Sequence, residues 1–272
     1  MTAPVKNGSC NIWQGLIDFP LPGRSQKPRR DGLTMVIDKG LGLAGTRDLM
    51  RLAAGYIDMI KLGFGTTALY KTEILQEKIQ VVQSYGIDVF PGGTFLEVAV
   101  LQEKIEEYIL LAKKVGFTAI EVSDGTIDLT DRLRRRAISF AAGLGLKVFT
   151  EVGKKEPGNE LCFKDLMRLV KRDLQSGATR VIVEGRDPAK DVGLYDSEGR
   201  LIEFELRELV AAVSDTSVLI WEAPEKEQQQ DLIRRFGPNV NIGNVNPRDV
   251  IALEALRAGL RSDTLKTAVL TQ

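Results

Sequence analysis

Lys147-Val148-Phe149-Thr150-Glu151-Val152-Gly153-Lys154-Lys155 describes a strand that delivers charge at its end. Val148, Phe149 and Val152 favour extended backbone, and Gly145 and Gly153 bound the run. Glu151, Lys154 and Lys155 then fall at its C-terminal tip. A buried strand tipped with charge is how a parallel α/β barrel presents catalytic groups. The rest of the chain is judged by whether it repeats that pattern.

Working outward, it does. Upstream, an apolar run at 33–37 ends in Asp38-Lys39-Gly40. A second, at 57–62, carries Lys61 at its tip and is followed by Gly63-Phe64-Gly65-Thr66-Thr67. A third, at 87–90, precedes Pro91-Gly92-Gly93-Thr94, and a fourth, at 119–122, ends with Glu121, Ser123 and Asp124. Downstream, strands at 180–183, 218–221 and 240–242 end in Glu184-Gly185-Arg186, Glu222-Ala223-Pro224 and Gly243-Asn244. Helical patterns separate them. The best marked is a single apolar stripe of Val98, Leu101, Ile105, Tyr108 and Ala112, closed by Gly116. Asn246 has the character of an N-cap, with Pro247 at the first helical position. Arg132, Arg134, Arg135 and Arg136 crowd one helix and are expected to face water.

Eight strand-then-helix units predict a parallel sheet closed into a (β/α)8 TIM barrel, an α/β fold in one domain. An open doubly wound sheet would want a glycine fingerprint after its first strand, and Gly40-Leu41-Gly42-Leu43 is a poor one. Residues 1–31 lack a period and are expected to form an arm packed on the barrel of residues 32–272. The cluster Lys27, Arg29 and Arg30 in that arm is expected to be solvated. The polar segment 185–202 is long for an α/β connection, which usually takes about 2–6 residues. It is either a lid or a surface excursion.

Composition narrows the chemistry. The 272 residues hold 37 Lys and Arg against 37 Asp and Glu, which argues against bulk nucleic-acid binding. No stretch is apolar and long enough to cross a bilayer, and the start lacks a signal peptide. Cys10 and Cys162 make no framework, which points to a reducing, cytoplasmic setting. There is no histidine. Ser-His-Asp and Cys-His nucleophiles, histidine bases and histidine metal ligands are all excluded. A metal held by this chain alone would have oxygen ligands and be Mg-like or Mn-like.

At a barrel rim, Glu121, Glu151, Glu184 and Glu222 tip four consecutive strands and Asp38 tips the first. Lys39, Lys61, Lys154, Lys155 and Arg186 stand among them. Several carboxylates and cations without histidine suit a divalent metal and a small anionic substrate. Gly243, Asn244 and the Asn246-Pro247 helix start could offer backbone N–H groups to a phosphate.

Taken together, the segments 33–40, 56–58 with 61–66, 91–94, 121–125, 151–155, 184–186 and 222–224 resemble the phosphosulfolactate synthase family, in its order, over roughly residues 32–265. The resemblance implies a Mg²⁺-dependent addition of sulfite to phosphoenolpyruvate, yielding (2R)-3-sulfolactate phosphate, an early intermediate of coenzyme M synthesis. In that setting Lys154 or Lys155 is the candidate acid, and Glu121, Glu151 and Glu184 are the candidate metal ligands. Lys39, Lys61 and Arg186 are the candidates for holding phosphate, carboxylate or sulfite. Family membership fixes scaffold and site type better than the physiological substrate. Two other readings stay open. One is an aldolase-like barrel forming a Schiff base on Lys61 or Lys154. The other is a non-catalytic barrel that retains a phosphate pocket. A homo-oligomer is compatible with the sequence, but no patch identifies an interface.

Overall fold

The computed structural model describes residues 12, 13, 16–153, 163–184, 196, 206, 207, 213 and 215–270. Within them lie eight strands: β1 (Thr34–Asp38), β2 (Met59–Leu62), β3 (Asp88–Pro91), β4 (Ala119–Val122), β5 (Lys147–Val152), β6 (Arg180–Val183), β7 (Leu219–Glu222) and β8 (Ile242–Val245). They pair in the order β3-β2-β1-β8-β7-β6-β5-β4, and every ladder is parallel. At the remaining seam, Thr118 just before β4 donates from its backbone to Val89 O at 3.1 Å. Val89 N donates in turn to Thr118 Oγ1 at 2.9 Å. The expected barrel is therefore present.

Residues alternate across each strand, and the alternation builds two shells. Val36, Ile60, Val89, Ile120, Val148, Val181, Leu219 and Ile242 face outward into the main apolar cluster beneath the helices. Met35, Met59, Phe90, Ala119, Phe149, Ile182 and Ile220 fill the barrel axis, where the Phe90 and Phe149 rings lie 4.9 Å apart. Two residues beyond five of these come Lys61, Glu121, Glu151, Glu184 and Glu222, all buried. On these five strands the same face thus changes from apolar to charged within one step.

The helices named here are α1 (Leu43–Ala53), α2 (Thr72–Gln83), α3 (Gly93–Leu101), α4 (Ile105–Val115), α5 (Asp131–Gly143), α6 (Phe163–Ser176), α7 (Lys226–Phe236), α8 (Val250–Arg257) and α9 (Ser262–Leu270). Their termini carry the expected chemistry. Thr130 caps α5, accepting at its hydroxyl from Leu133 N, and Glu225 with Gln228 forms a capping box on α7. Asn246 Oδ1 accepts from Arg248 N at 2.9 Å, and a short 3-10 turn leads into α8. Glu106 and Glu107 in the first turn of α4 and Lys113 and Lys114 in its last suit the helix dipole.

Three expectations need correction. The stripe from Val98 to Ala112 is not one helix. Glu103 adopts a left-handed φ of 57°, and the chain breaks there into α3 and α4. Lys104 N closes α3 on Ala99 O at 2.8 Å. Leu101 is left 71% exposed, while Glu97 of the same helix is buried. Next, Arg134 does not face water with its neighbours. It is buried, with Asp173 of α6 at 2.6 Å, Asp124 at 3.0 Å and the Glu151 carbonyl at 2.9 Å. Finally, the arm cluster is not simply solvated. Arg29 pairs with Asp58 at 2.8 Å, and Lys27 donates to Ala54 O at 2.9 Å. With Arg24 on Glu254 and Gly32 N on Asn239 O, these contacts fasten residues 24–32 across the N-terminal end of the barrel, away from the charged rim.

Arg134 joins α5, α6 and the end of β5, so its counter-ion matters. Asp173→Ala would leave a buried guanidinium without its main partner. A loss of about 3–5 kcal/mol is expected in urea unfolding, the range for breaking a buried pair.

Candidate active site

Charge converges where the five inward strand ends meet. Lys61 Nζ donates to Glu121 Oε1 at 2.9 Å, to Glu222 Oε1 at 3.1 Å and to Glu151 Oε2 at 3.3 Å. Ser123 Oγ lies 2.8 Å from Glu97 Oε1 and 2.9 Å from Glu151 Oε1, linking α3 to the rim. Five buried carboxyl groups, those of Glu97, Glu121, Glu151, Glu184 and Glu222, therefore adjoin one another with Lys61 in their midst. Burial of so much like charge is costly unless cations or protons offset it.

Protonation follows from that crowding. Burial would depress the Lys61 ammonium, but Glu121, Glu222 and Glu151 outweigh it and hold the group well above its ordinary value. For Glu121, burial drives the shift upward. Lys61 opposes it, Glu151 and Glu222 add to it, and the carboxyl is pushed up to about 8. An ammonium gripped by three carboxylates is no nucleophile, which disfavours a Schiff base on Lys61.

Above this floor lies a cavity of about 300 Å³, lined among others by Ile37, Lys39, Phe64, Thr94, Pro224 and Asn244. Phe64 is exposed at the mouth in a left-handed conformation, φ 58°, and Lys39 Nζ lies 5.5 Å from its ring centroid. Glu151, Glu184 and Glu222 each present an oxygen within 4.8 Å of the others. Three hard oxygen donors without nitrogen or sulfur suit a divalent cation of the magnesium type. Gly153, with φ 114°, makes room for this cluster, because a Cβ there would sit 2.7 Å from Glu184 Cβ.

The sequence candidates separate accordingly. Lys39, Lys61, Glu121, Glu151, Glu184 and Asn244 all line the cavity. Glu222, not Glu121, joins Glu151 and Glu184 in the three-carboxylate group, while Glu121 faces Lys61. Gly243 lies within β8, where a Cβ would meet Met35 Cε at 2.7 Å and Ile220 Cγ2 at 3.0 Å, so its missing side chain serves interior packing. Asp38 turns aside to Lys78 of α2 at 2.5 Å and accepts from the N–H groups of Gly40 and Leu41. Lys154, Lys155 and Arg186 lie outside the described residues, as does the 185–202 segment apart from Asp196.

Glu97 and Ser123 were given no role by the sequence reading. A stripe drawn through Val98 and Leu101 passes over Glu97, whereas the buried side of α3 carries Leu96, Glu97 and Ala99. The available signal was Gly93, one turn earlier on the same face, at the rim.

Residues 22–263 match the family model for (2R)-phospho-3-sulfolactate synthase. The phosphosulfolactate synthase of Methanothermobacter thermautotrophicus is 42% identical over 250 residues, covering 91% of this chain and 96% of its own length. That of Methanocaldococcus jannaschii is 43% identical over 235 residues, covering 86% and 93%. Among solved structures, 3-hexulose-6-phosphate synthase from Salmonella typhimurium superposes with a TM-score of 0.54 at 15% identity, over 88% of this chain and 100% of its own. At that identity it bears on the fold alone.

Two outcomes are expected from this geometry. A divalent cation should raise the thermal midpoint of the purified protein, by linkage to a folded-state site. Glu222→Gln should abolish the rise and Glu121→Gln should retain most of it; the reverse pattern would restore Glu121 to the ligand set. Lys61→Met leaves its three carboxylates without their shared counter-ion. Calorimetry should show it destabilised by about 3–5 kcal/mol at neutral pH.

Proposed function

This chain belongs to the (2R)-phospho-3-sulfolactate synthase family, and from that premise we propose that it adds sulfite to phosphoenolpyruvate, carbon–sulfur lyase chemistry run in the bond-forming direction. The sulfur lone pair forms the C–S bond at the methylene carbon. The displaced π pair moves toward the substrate carboxylate as an aci-carboxylate, and a proton delivered to the central carbon completes the product. The phosphate ester is kept and nothing leaves.

The observation that carries this reading is the acid-rich, histidine-free rim gathered around Lys61 in a member of this family. Glu151, Glu184 and Glu222 would hold Mg²⁺. When bound, Mg²⁺ supplies positive charge opposite the developing carboxylate charge. Lys61 keeps the glutamates in register and offsets part of their charge. Its raised pKa makes it a poor proton donor. The donor is assigned instead to Lys154 or Lys155, which follow Gly153 directly beyond the tip of β5. Lys39, at the cavity mouth, and Arg186 are assigned to the anionic ends of the substrates. Phe64 also lines the cavity.

Incubation with phosphoenolpyruvate, sulfite and Mg²⁺, followed by phosphorus NMR, should show the enol phosphate signal replaced by that of an alkyl phosphate. Absence of turnover by protein that binds both cation and phosphoenolpyruvate would overturn the assignment. Of Lys154→Ala and Lys155→Ala, the one that removes the proton donor should lower kcat by about 10²–10⁴, the usual scale for a general acid.

A further inference from the structure

β8 is irregular where it meets β1. Thr34 pairs with Ile242 but Val36 pairs with Val245, so three steps on β8 span two on β1. The extra residue is taken up at Gly243 and Asn244, and Asn244 has a left-handed φ of 54°. Bulges of this kind re-aim a side chain, often beside an active site. Here the side chain of Asn244 lines the cavity that Glu151, Glu184 and Glu222 also line. The residue is only 6% exposed, and its Oδ1 has no hydrogen-bond partner among the described residues. A buried carbonyl oxygen left without a donor is unfavourable. A left-handed backbone at a residue other than glycine adds to that cost.

Among the described residues no side chain supplies the missing donor. Glu151, Glu184 and Glu222 offer acceptor oxygens, and the Lys61 ammonium already serves three carboxylates. A group brought by a ligand can satisfy Asn244, and beside three clustered carboxylates a cation or its water suits that place. An amide oxygen is a suitable ligand type for a hard cation. It also adds no charge where five carboxyl groups already crowd together. We infer that Asn244 supplies an uncharged oxygen to the divalent cation of the Glu151–Glu184–Glu222 cluster, at the ion or at one of its bound waters. The inference rests on the cation site proposed above and not on the reaction that the site performs.

The test is Mn²⁺ binding to the whole protein, without phosphoenolpyruvate or sulfite, with free Mn²⁺ counted by electron paramagnetic resonance. Asn244→Gly removes the oxygen and relieves the left-handed strain. It should weaken the Mn²⁺ Kd about tenfold or more, the scale of losing a supporting ligand group. The thermal midpoint of the cation-free variant should meanwhile hold or rise. Asn244→Asp keeps an oxygen there and adds charge, and should bind Mn²⁺ more tightly than Asn244→Gly. An unchanged Kd in Asn244→Gly would overturn the inference while leaving the three-glutamate site intact. Weaker Mn²⁺ binding accompanied by a fall of several degrees in the cation-free midpoint would also overturn it, because Asn244 would then be structural. No Mn²⁺ binding by the unaltered protein would remove the cation site itself.

Discussion

One ammonium set among three buried carboxylates is the constraint around which the upper half of this barrel is arranged. Lys61 contributes charge that Glu121, Glu151 and Glu222 require, yet it does not balance them. Glu184 and, through Ser123, Glu97 deepen the deficit. The floor of the cavity is thus short of positive charge. A site in that condition draws in cations and retains protons, and together with burial, the larger cause, it pushes the Glu121 carboxyl up to about 8. The same deficit provides a driving force for binding a divalent ion.

The barrel tolerates this because of strand geometry. A step of two residues carries the inward face from Met59, Ala119, Phe149, Ile182 and Ile220 to Lys61, Glu121, Glu151, Glu184 and Glu222. The apolar layer closes the axis below, and the charged layer above meets the cavity. Outside the ring, Arg134 grips the Glu151 carbonyl and Asp173, while Lys78 grips Asp38 and the Leu41 carbonyl. These buried pairs hold the ends of β5 and β1, where small displacements would shift the glutamates and Lys39. Rigid support of this kind is what a preorganised site needs.

Much of this was legible in the sequence. Apolar runs tipped by Glu121, Glu151, Glu184 and Glu222, spaced by helical patterns, announce eight parallel strands and a charged rim, because strand alternation and helix periodicity are local properties. The absence of histidine, with only two cysteines, points any metal to oxygen ligands for an equally local reason, the chemistry of the side chains present. What tertiary structure alone decided was how those charges are shared. Strand stagger sets Glu222 with Glu151 and Glu184 and leaves Glu121 facing Lys61. A break at left-handed Glu103 separates α3, with Glu97 buried, from α4, the approach of α6 buries Arg134, and a bulge against β1 aims Asn244 into the cavity. Each of these depends on contacts between residues far apart in the chain, and no local pattern encodes the distance between two strand ends.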